Sequence, residues 1–379
     1  MTDVFTLEAL EAKYGDSLLL HYGDFDDPRL IVIDGGPATV YADALRPRLD
    51  AIQKKRGGGQ LEIRMLMVSH IDLDHINGVL KLTEALRKDL DAKRPLPFDI
   101  LTLWHNSFDD LVGSAGASAL SDGAAAAAAA GFGETGAIVA GVKEGRRLRQ
   151  DADALAINMN SGFDALIQFD TAAKPLKIGG KLTFTVVGPR KPELERLKQD
   201  WKTKLGPILE KEKQKEAALA EAAKPDTSIP NLSSIVVLAA FGDKGKEKTI
   251  LLTGDARGGY IVDSLREAGL LAAGGTMKVD VLKMPHHGSA RNCTTDFLQA
   301  VLADHYVISA NGQNDNPDLE TFDNLFAVRP TGSYTIWMTN DVTDAVKHIE
   351  KTKPAGVTLN VNKKLKGSLK VELAKAIGW

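Results

Sequence analysis

Cysteine is almost absent from this chain of 379 residues, since Cys293 is the only one. A single cysteine cannot form a disulfide within the chain, and it cannot build a cysteine-rich zinc site. No apolar run reaches about eighteen residues, the minimum for a membrane-spanning helix. The first residues also lack the basic start and the apolar stretch of a secretory signal. We therefore predict a protein of the cytoplasm that does not enter a membrane.

Aromatic residues and net charge are scarce as well, at 6% of the chain and −3 respectively. Such a charge creates no general positive field for long nucleic acids, and few aromatic residues leave little surface on which bases could stack. The remaining composition is that of an ordinary globular protein. A folded chain is therefore predicted, and its oligomeric state stays open.

Short apolar runs alternate with segments of helical periodicity along most of the chain. Strands are predicted at 17–22, 29–34, 61–69, 98–105, 181–188, 233–241, 248–254, 279–285 and 305–310, and helices at 42–55 and 76–90. This alternation indicates an α/β protein built in layers. We predict a single domain over 1–379, with an alanine-rich insertion at 106–180, a charged helical insertion at 190–228 and a C-terminal strand–helix–strand extension at 330–379.

Four side chains that can bind metal follow the predicted strand at 61–69. They are His70, Asp72, Asp74 and His75. Alternate residues of an extended segment point the same way, so His70 and Asp72 can share one ion while the other two turn toward a second. The alternative interpretation, that these residues cap the following helix, requires only one of them. The spacing therefore favours a metal site.

Two later strands end in similar groups. Asp255 follows KTILLTG, and His286 and His287 follow VDVLKMP, just before Gly288 and Ser289. Ligands of α/β proteins usually bind at the carboxyl ends of the strands, where all these residues are expected. Imidazole and carboxylate groups suit zinc, and a carboxylate-rich set also suits manganese.

Five segments occur in the order found in one known family. They are GDSLLL with VIDGG, HIDLDHINGV, NLSSIVV, LLTGD and VLKMPHHGS, and they lie within a matching region from residue 14 to about 325. These motifs resemble the metallo-β-lactamase superfamily, and within it the hydrolase domain of ComEC-type DNA-internalisation proteins and their soluble relatives. The resemblance implies a four-layer αββα metallo-β-lactamase sandwich that binds two divalent metal ions, zinc or alternatively manganese.

The resemblance also implies roles for individual residues. The expected metal ligands are His70, Asp72, Asp74, His75, Asp255 and His286, with Asp255 bridging the ions. Asp74 and His287 are the candidate catalytic residues, His287 as an orienting group or as a proton donor to the leaving oxygen. The roles of His286 and His287 could be exchanged.

Two departures from the family pattern affect the expected substrate contacts. Asn316 stands directly before Pro317 where the family often has an asparagine followed by His-Pro, and the histidine that many members carry before the bridging aspartate is not evident. His105 ends a predicted strand at the same edge and could replace that histidine. The candidate substrate-binding residues are therefore Ser289, His105 and Asn316.

The expected activity is metal-dependent hydrolysis of a phosphodiester, such as a nucleic acid end or a nucleotide. The choice of substrate rests on analogy with the resembling branch. One alternative keeps the metal site but acts on an acyl ester, a lactone or a thioester. Another is a catalytically degenerate, metal-binding scaffold that binds a partner without turnover.

Overall fold

Side chains of the first strands alternate between two buried faces. The strands β1 (Asp3–Leu10), β2 (Leu18–Asp24) and β3 (Pro28–Ile33) pair antiparallel. Phe5 and Leu7 of β1 belong to one apolar cluster and Leu10 to another, as the two-residue period of a strand requires. This meander is therefore covered on both faces. The computed structural model describes residues 2–107, 133–170, 174–199, 230–363 and 367–379.

Parallel strands extend this meander into the first sheet. They are β5 (Met65–Met67), β7 (Thr102–Trp104) and β8 (Asn158–Met159), while β17 (Ser368–Glu372) pairs antiparallel with β1 on the other side. The sheet order is β17–β1–β2–β3–β5–β7–β8, and β4 (Leu61–Ile63) pairs separately with β6 (Phe98–Ile100). The carboxyl ends of β3, β5 and β7 consequently meet at one edge.

The second sheet contains eight strands of the described chain. They are β9 (Leu176–Gly179), β10 (Leu182–Gly188), β11 (Val236–Phe241), β12 (Lys248–Leu252), β13 (Met277–Lys283), β14 (Val301–Ile308), β15 (Tyr334–Met338) and β16 (Val357–Val361). Their order is β16–β15–β14–β13–β12–β11–β10–β9, and β12 to β16 run parallel. The carboxyl ends of β12 and β13 therefore also share an edge.

Helices cover the outer face of each sheet. They are α1 (Arg46–Lys55), α2 (Leu73–Asp91), α3 (Gly133–Ala154), α4 (191–199), α5 (Gly258–Glu267), α6 (Thr295–Ala300), α7 (Leu319–Val328) and α8 (Thr343–Thr352). A helical turn Ala38–Val40 and a π-helical turn Tyr41–Leu45 precede α1. One apolar cluster lies between the sheets, a second under α1–α3 and a third under α5–α8. The four-layer αββα sandwich predicted from the sequence is confirmed.

The segments that the sequence analysis treats as insertions contribute in part to these layers. Within 106–180, residues 108–132 and 171–173 lie outside the described residues, including the alanine run, but Leu148 and Ala152 of α3 are buried against the first sheet. Of 190–228, the structure describes α4 and not 200–229. The segment 330–379 supplies β15, β16 and β17. The domain boundaries themselves stay predictions.

No helix in the described ranges is long and apolar enough to cross a membrane.

A charged cluster is buried on the outer face of β1. The Oε2 atom of Glu8 lies 2.9 Å from His21 Nε2, and the Arg48 guanidinium donates to both carboxylate oxygens. Burial raises the pKa of Glu8, but His21 and Arg48 lower it more, to about 2. Burial also lowers the pKa of His21, and Glu8 offsets this only in part. Since both pKa values fall on folding, the unfolded chain binds more protons in acid.

This cluster predicts an acid-dependent loss of stability that Glu8→Gln removes. The contribution of Glu8 is complete above the usual carboxyl pKa of 4.5 and disappears as the pH falls through about 2. At neutral pH the free energy of unfolding of the variant should be about 3 to 5 kcal/mol lower, because Arg48 and His21 lose their buried partner. Urea unfolding between pH 2 and 7 measures both effects.

The matched control is Glu195→Gln, at an exposed position of α4. It should change the free energy of unfolding by less than about 0.5 kcal/mol. Equal pH dependence for Glu8→Gln and the native chain would contradict the predicted role of Glu8.

Candidate metal centre

The first group of predicted ligands lies where β5 passes into α2. His70 and Asp72 occupy the extended connection, whereas Asp74 and His75 lie in the first turn of the helix. Asp72 is the N-cap residue, yet its side chain makes no capping hydrogen bond; its Oδ2 instead lies 3.4 Å from His70 Nε2. The capping interpretation therefore does not explain this carboxylate.

Glycines allow the loop after β3 to approach this turn of α2. Gly35 N donates to His75 O, and Gly78 N donates to Gly36 O, both at 2.8 Å. A Cβ atom at Gly35 would lie 2.2 Å from a backbone nitrogen, and one at Gly78 would lie 1.8 Å from Gly35 O. Larger residues would displace the turn that carries Asp74 and His75.

Asp34, which the sequence analysis noted only as the end of a strand, orients two histidines. Its carboxylate accepts from His75 Nδ1 at 2.9 Å, from Ser69 N at 2.7 Å and from Ser69 Oγ at 2.7 Å. Because the Ser69 hydroxyl proton goes to Asp34, His70 Nδ1 at 3.0 Å must donate to Ser69 Oγ. In their neutral form, both imidazole rings then present the lone pair of Nε2 to the site.

The second group lies in the turn after β13, where His286 and His287 both have left-handed backbones, with φ of 48° and 55°. This conformation is costly for residues with a Cβ atom, about 1 to 2 kcal/mol each. The start of α7 fixes the turn, since Thr321 Oγ donates to Gly288 O at 2.6 Å and Ala290 N donates to Asp318 Oδ2 at 2.7 Å.

Hydrogen bonds also orient these two histidines. His287 Nδ1 lies 2.9 Å from Ser309 O, and a carbonyl oxygen can only accept, so Nδ1 carries the proton. His286 Nδ1 lies 3.2 Å from Asn292 Oδ1, while the amide nitrogen of Asn292 donates to Asp255 O at 3.0 Å. Both rings therefore also present an Nε2 lone pair.

Asp255, three residues beyond the end of β12, lies at the centre of the four rings. Its Oδ1 is 3.3 Å from the Nε2 of His75, and its Oδ2 is 3.8, 3.6 and 3.5 Å from those of His70, His286 and His287. Two atoms bound to one tetrahedral ion at 2.0 to 2.2 Å are roughly 3.4 Å apart. The observed separations are those expected of ligands that share an ion.

Asp74 extends this arrangement to a second ion. Its Oδ2 lies 3.4 Å from His287 Nε2 and 3.9 Å from His75 Nε2. The metal-capable groups of the described chain include His70 with His75 and Asp255, and Asp74 with His75 and His287. The predicted residues thus form two adjoining ligand groups with Asp255 close to both.

Several atoms of this site are buried without a hydrogen-bond partner among the described residues. They are the Nε2 atoms of His70, His75 and His287 and the Oδ1 atom of Asp255. Burial lowers the pKa of His75 and of His287, but the facing carboxylates, above all Asp255, raise both well above their usual range. The site thus favours cations strongly, and divalent ions fit its donor atoms.

A buried ion pair adjoins the second ligand group. Lys283 Nζ lies 2.6 Å from Asp16 Oδ2, and each side chain is 1% exposed. Burial alone would raise the pKa of Asp16, but Lys283, His287 and His75 lower it below its usual range. Asp16 therefore adds a further negative charge beside the histidines. Neither residue of this pair is predicted from the sequence to belong to the site.

The site opens on the side of Asp72 and His286. The side chains of these two residues are 30% exposed and that of Asp74 is 21% exposed, whereas His70, His75, Asp255 and His287 are almost completely buried. A substrate can therefore reach the ligand groups only from this side of the described structure.

The three predicted substrate-binding residues are placed differently. Ser289 and Asn316 make main-chain hydrogen bonds that shape their turns, such as Ser289 N to His286 O at 2.9 Å. His105 is buried, and its Nε2 would lie 3.2 Å from a Cβ atom added to Gly145 of α3. Its ring thus faces the helix layer, and the metal-capable groups of the described residues do not include it.

Comparison with known proteins finds similarity to solved structures alone. A scan against models of protein families finds no match, and no curated protein matches the chain. Among solved structures, the chain is similar to the metallo-β-lactamase fold protein YhfI from Bacillus subtilis, at 12% identity and a TM-score of 0.39 over 97% of this chain and 100% of that one. The layers and sheet orders described above are what establish the αββα fold.

Proposed function

We propose that this chain is a metal-dependent hydrolase of the metallo-β-lactamase superfamily, in the branch that the ComEC-type domain represents, and that it cleaves phosphodiesters. This proposal rests on the buried Nε2 atoms of His70, His75 and His287, which surround Asp255. The Nδ1 atom of each ring is engaged in a hydrogen bond, which leaves the lone pair of Nε2 directed at the site. Such acceptors are costly to bury without a partner, and a cation removes the cost.

The charges around the site favour two divalent ions. Five carboxylates face this region, those of Asp16, Asp34, Asp72, Asp74 and Asp255, and Lys283 is paired with Asp16. With neutral histidines, this set has four net negative charges, which two divalent cations neutralise. Zinc suits the imidazole-rich donor set, and manganese is the alternative that the carboxylates allow.

The ligands divide between two ions in this proposal. His70, Asp72 and His286 would hold one ion, Asp74, His75 and His287 would hold the other, and Asp255 lies within reach of both. We place His287 among the ligands because its Nδ1 proton is engaged by Ser309 O and its Nε2 faces Asp74 and Asp255. Two bound ions would supply Lewis acidity and activate a water molecule near neutral pH.

The chain's own residues orient the ligands and admit the substrate. Asp34 and Ser69 hold the tautomers of His70 and His75, so that both rings remain neutral donors when cations bind. The partly exposed His286 and Asp72 border the opening, where a substrate would approach. Arg257 lines a cavity beside Asn231, whose amide lies 3.5 Å from His286 Nδ1, and a guanidinium there favours an anionic substrate.

The test combines metal content with hydrolysis of two model esters. Mass spectrometry of the purified chain should find about two ions per chain, the number typical of paired metal sites. The double variant His70→Ala, Asp74→Ala should lose the ions and the hydrolysis of bis-p-nitrophenyl phosphate. The parallel substrate, p-nitrophenyl acetate, distinguishes a phosphodiesterase from an acyl-ester hydrolase.

A matched control replaces the exposed pair His348→Ala, Asp323→Ala, which joins α7 to α8 through a 2.7 Å contact away from the site. This control should keep both metal and activity. Faster cleavage of the acyl ester than of the phosphodiester would overturn the substrate class, and two bound ions without hydrolysis of either ester would leave the metal-binding scaffold. Absence of bound metal would contradict the metal centre itself.

A further inference from the structure

The ion pair of Lys283 and Asp16 connects two distant parts of the chain at the metal centre. Asp16 lies in the loop between β1 and β2, and Lys283 is the last residue of β13, directly before the turn with the two histidines. Lys283 Nζ is 2.6 Å from Asp16 Oδ2 and donates to Met284 O at 3.0 Å. Removing two charges from water is costly, so a pair this deeply buried needs a compensating role or a complete set of partners.

Asp16 contacts the second ligand group directly. Its Oδ1 lies 3.5 Å from His287 Nδ1, on the ring edge whose proton is donated to Ser309 O at 2.9 Å. Ser309 in turn donates from its hydroxyl to Gly15 O at 2.6 Å, in the same loop as Asp16. The loop between β1 and β2 therefore reaches the Nδ1 edge of His287 directly through Asp16 and indirectly through Ser309.

The other histidines show why this contact matters. Asp34 accepts the Nδ1 proton of His75 and engages His70 through Ser69, so each ring has a neighbouring carboxylate behind it. Carboxylates behind ligating imidazoles fix the orientation of the ring and raise its basicity. Asp16 is the corresponding carboxylate behind His287, and it needs Lys283 as an anchor because it is fully buried.

We propose that Asp16, anchored by Lys283, is a positioning residue that holds His287 in the orientation required to bind the second metal ion. This inference rests on the proposed metal centre. The role differs from that of a purely structural ion pair, which would stabilise the fold without affecting the affinity for metal.

The test compares Asp16→Asn with the double variant Asp16→Asn, Lys283→Met. Zinc is titrated into the metal-free full-length chain in competition with a chromophoric chelator, so the readout is metal affinity and not activity. For both variants we expect the second zinc ion to bind about 10- to 100-fold more weakly, the usual effect of losing a partner behind a ligand. The first ion should bind as in the native chain.

The double variant decides the outcome even if Asp16→Asn fails to fold. Because it removes both buried charges together, it is expected to fold. Weak binding of the second ion by this variant supports a positioning role. Native affinity would show that the ion pair only stabilises the fold, and would overturn the proposal. Glu8→Gln is the matched control, since it breaks another buried ion pair, outside the metal centre, and should leave both affinities unchanged.

The two proposals fail in different ways. A native chain that binds no zinc contradicts the metal centre, and with it the role of Asp16. A native chain that binds two zinc ions, together with an Asp16→Asn variant of equal affinity, contradicts only the positioning role.

Discussion

Replacement of Asp255 by asparagine should remove both metal ions and abolish hydrolysis. Asp255 is the residue whose two oxygens face all four histidines, at 3.3 to 3.8 Å from their Nε2 atoms. Asparagine keeps the shape of the side chain but loses its charge and one acceptor oxygen. The loss of activity should exceed about 100-fold, the upper limit for residues that act only from behind a ligand. Metal content and phosphodiester hydrolysis are measured on the same samples.

Asp280→Asn is the control for this change. Asp280 lies on β13 in the same sheet, where its carboxylate binds Lys248 at 2.7 Å and accepts from Thr249 N at 2.8 Å. Its replacement should leave metal content and hydrolysis as they are. If Asp255→Asn kept two ions, the proposal that both ions share the Asp255 carboxylate would be wrong.

Much of the fold could be predicted because apolar runs and helical periodicity are local properties. The hairpin of β2 and β3 and the strands that precede Asp255 and His286 are confirmed. The predicted strands 61–69 and 98–105 are each divided in two, since β4 and β6 pair apart from β5 and β7, and α2 begins at Leu73 instead of near 76. The strand β1 was missed. It is buried on both faces and contains Glu8, whose charge is acceptable there only because Arg48 and His21 lie next to it in the folded chain.

In the candidate site, too, some residues could be predicted from local spacing and others could not. Spacing alone predicted the cluster from His70 to His75, because all its members follow one strand. Asp34 could not be assigned from sequence, since its role depends on packing the end of β3 against α2. Lys283 carried a signal that was not used, a charged residue inside a buried strand, which demands a partner such as Asp16. The choice between His286 and His287 depends on a left-handed turn that periodicity does not reveal.

Replacement of Gly78 by alanine should destabilise the fold and the metal site together. Its Cβ atom would lie 1.8 Å from Gly35 O, and the opposing atoms are backbone that cannot rotate away. Overpacking of this kind costs about 1 to 3 kcal/mol, and a backbone that must move puts this site at the upper end of that range. The displaced element is the first turn of α2, which carries Asp74 and His75. We expect a lower midpoint of urea unfolding and weaker zinc binding by the variant that does fold.

Gly259→Ala is the matched control, because Gly259 also lies within a helix, α5, and no atom lies within 4 Å of its added Cβ. An alanine there should stabilise the chain by about 0.5 to 1 kcal/mol, since glycine is unfavourable inside helices. Native stability of Gly78→Ala would show that the loop after β3 does not need its close approach to α2. Lower stability with unchanged zinc affinity would show that the helix can move without taking its ligands out of position, and would separate the packing role of Gly78 from any role in the metal centre.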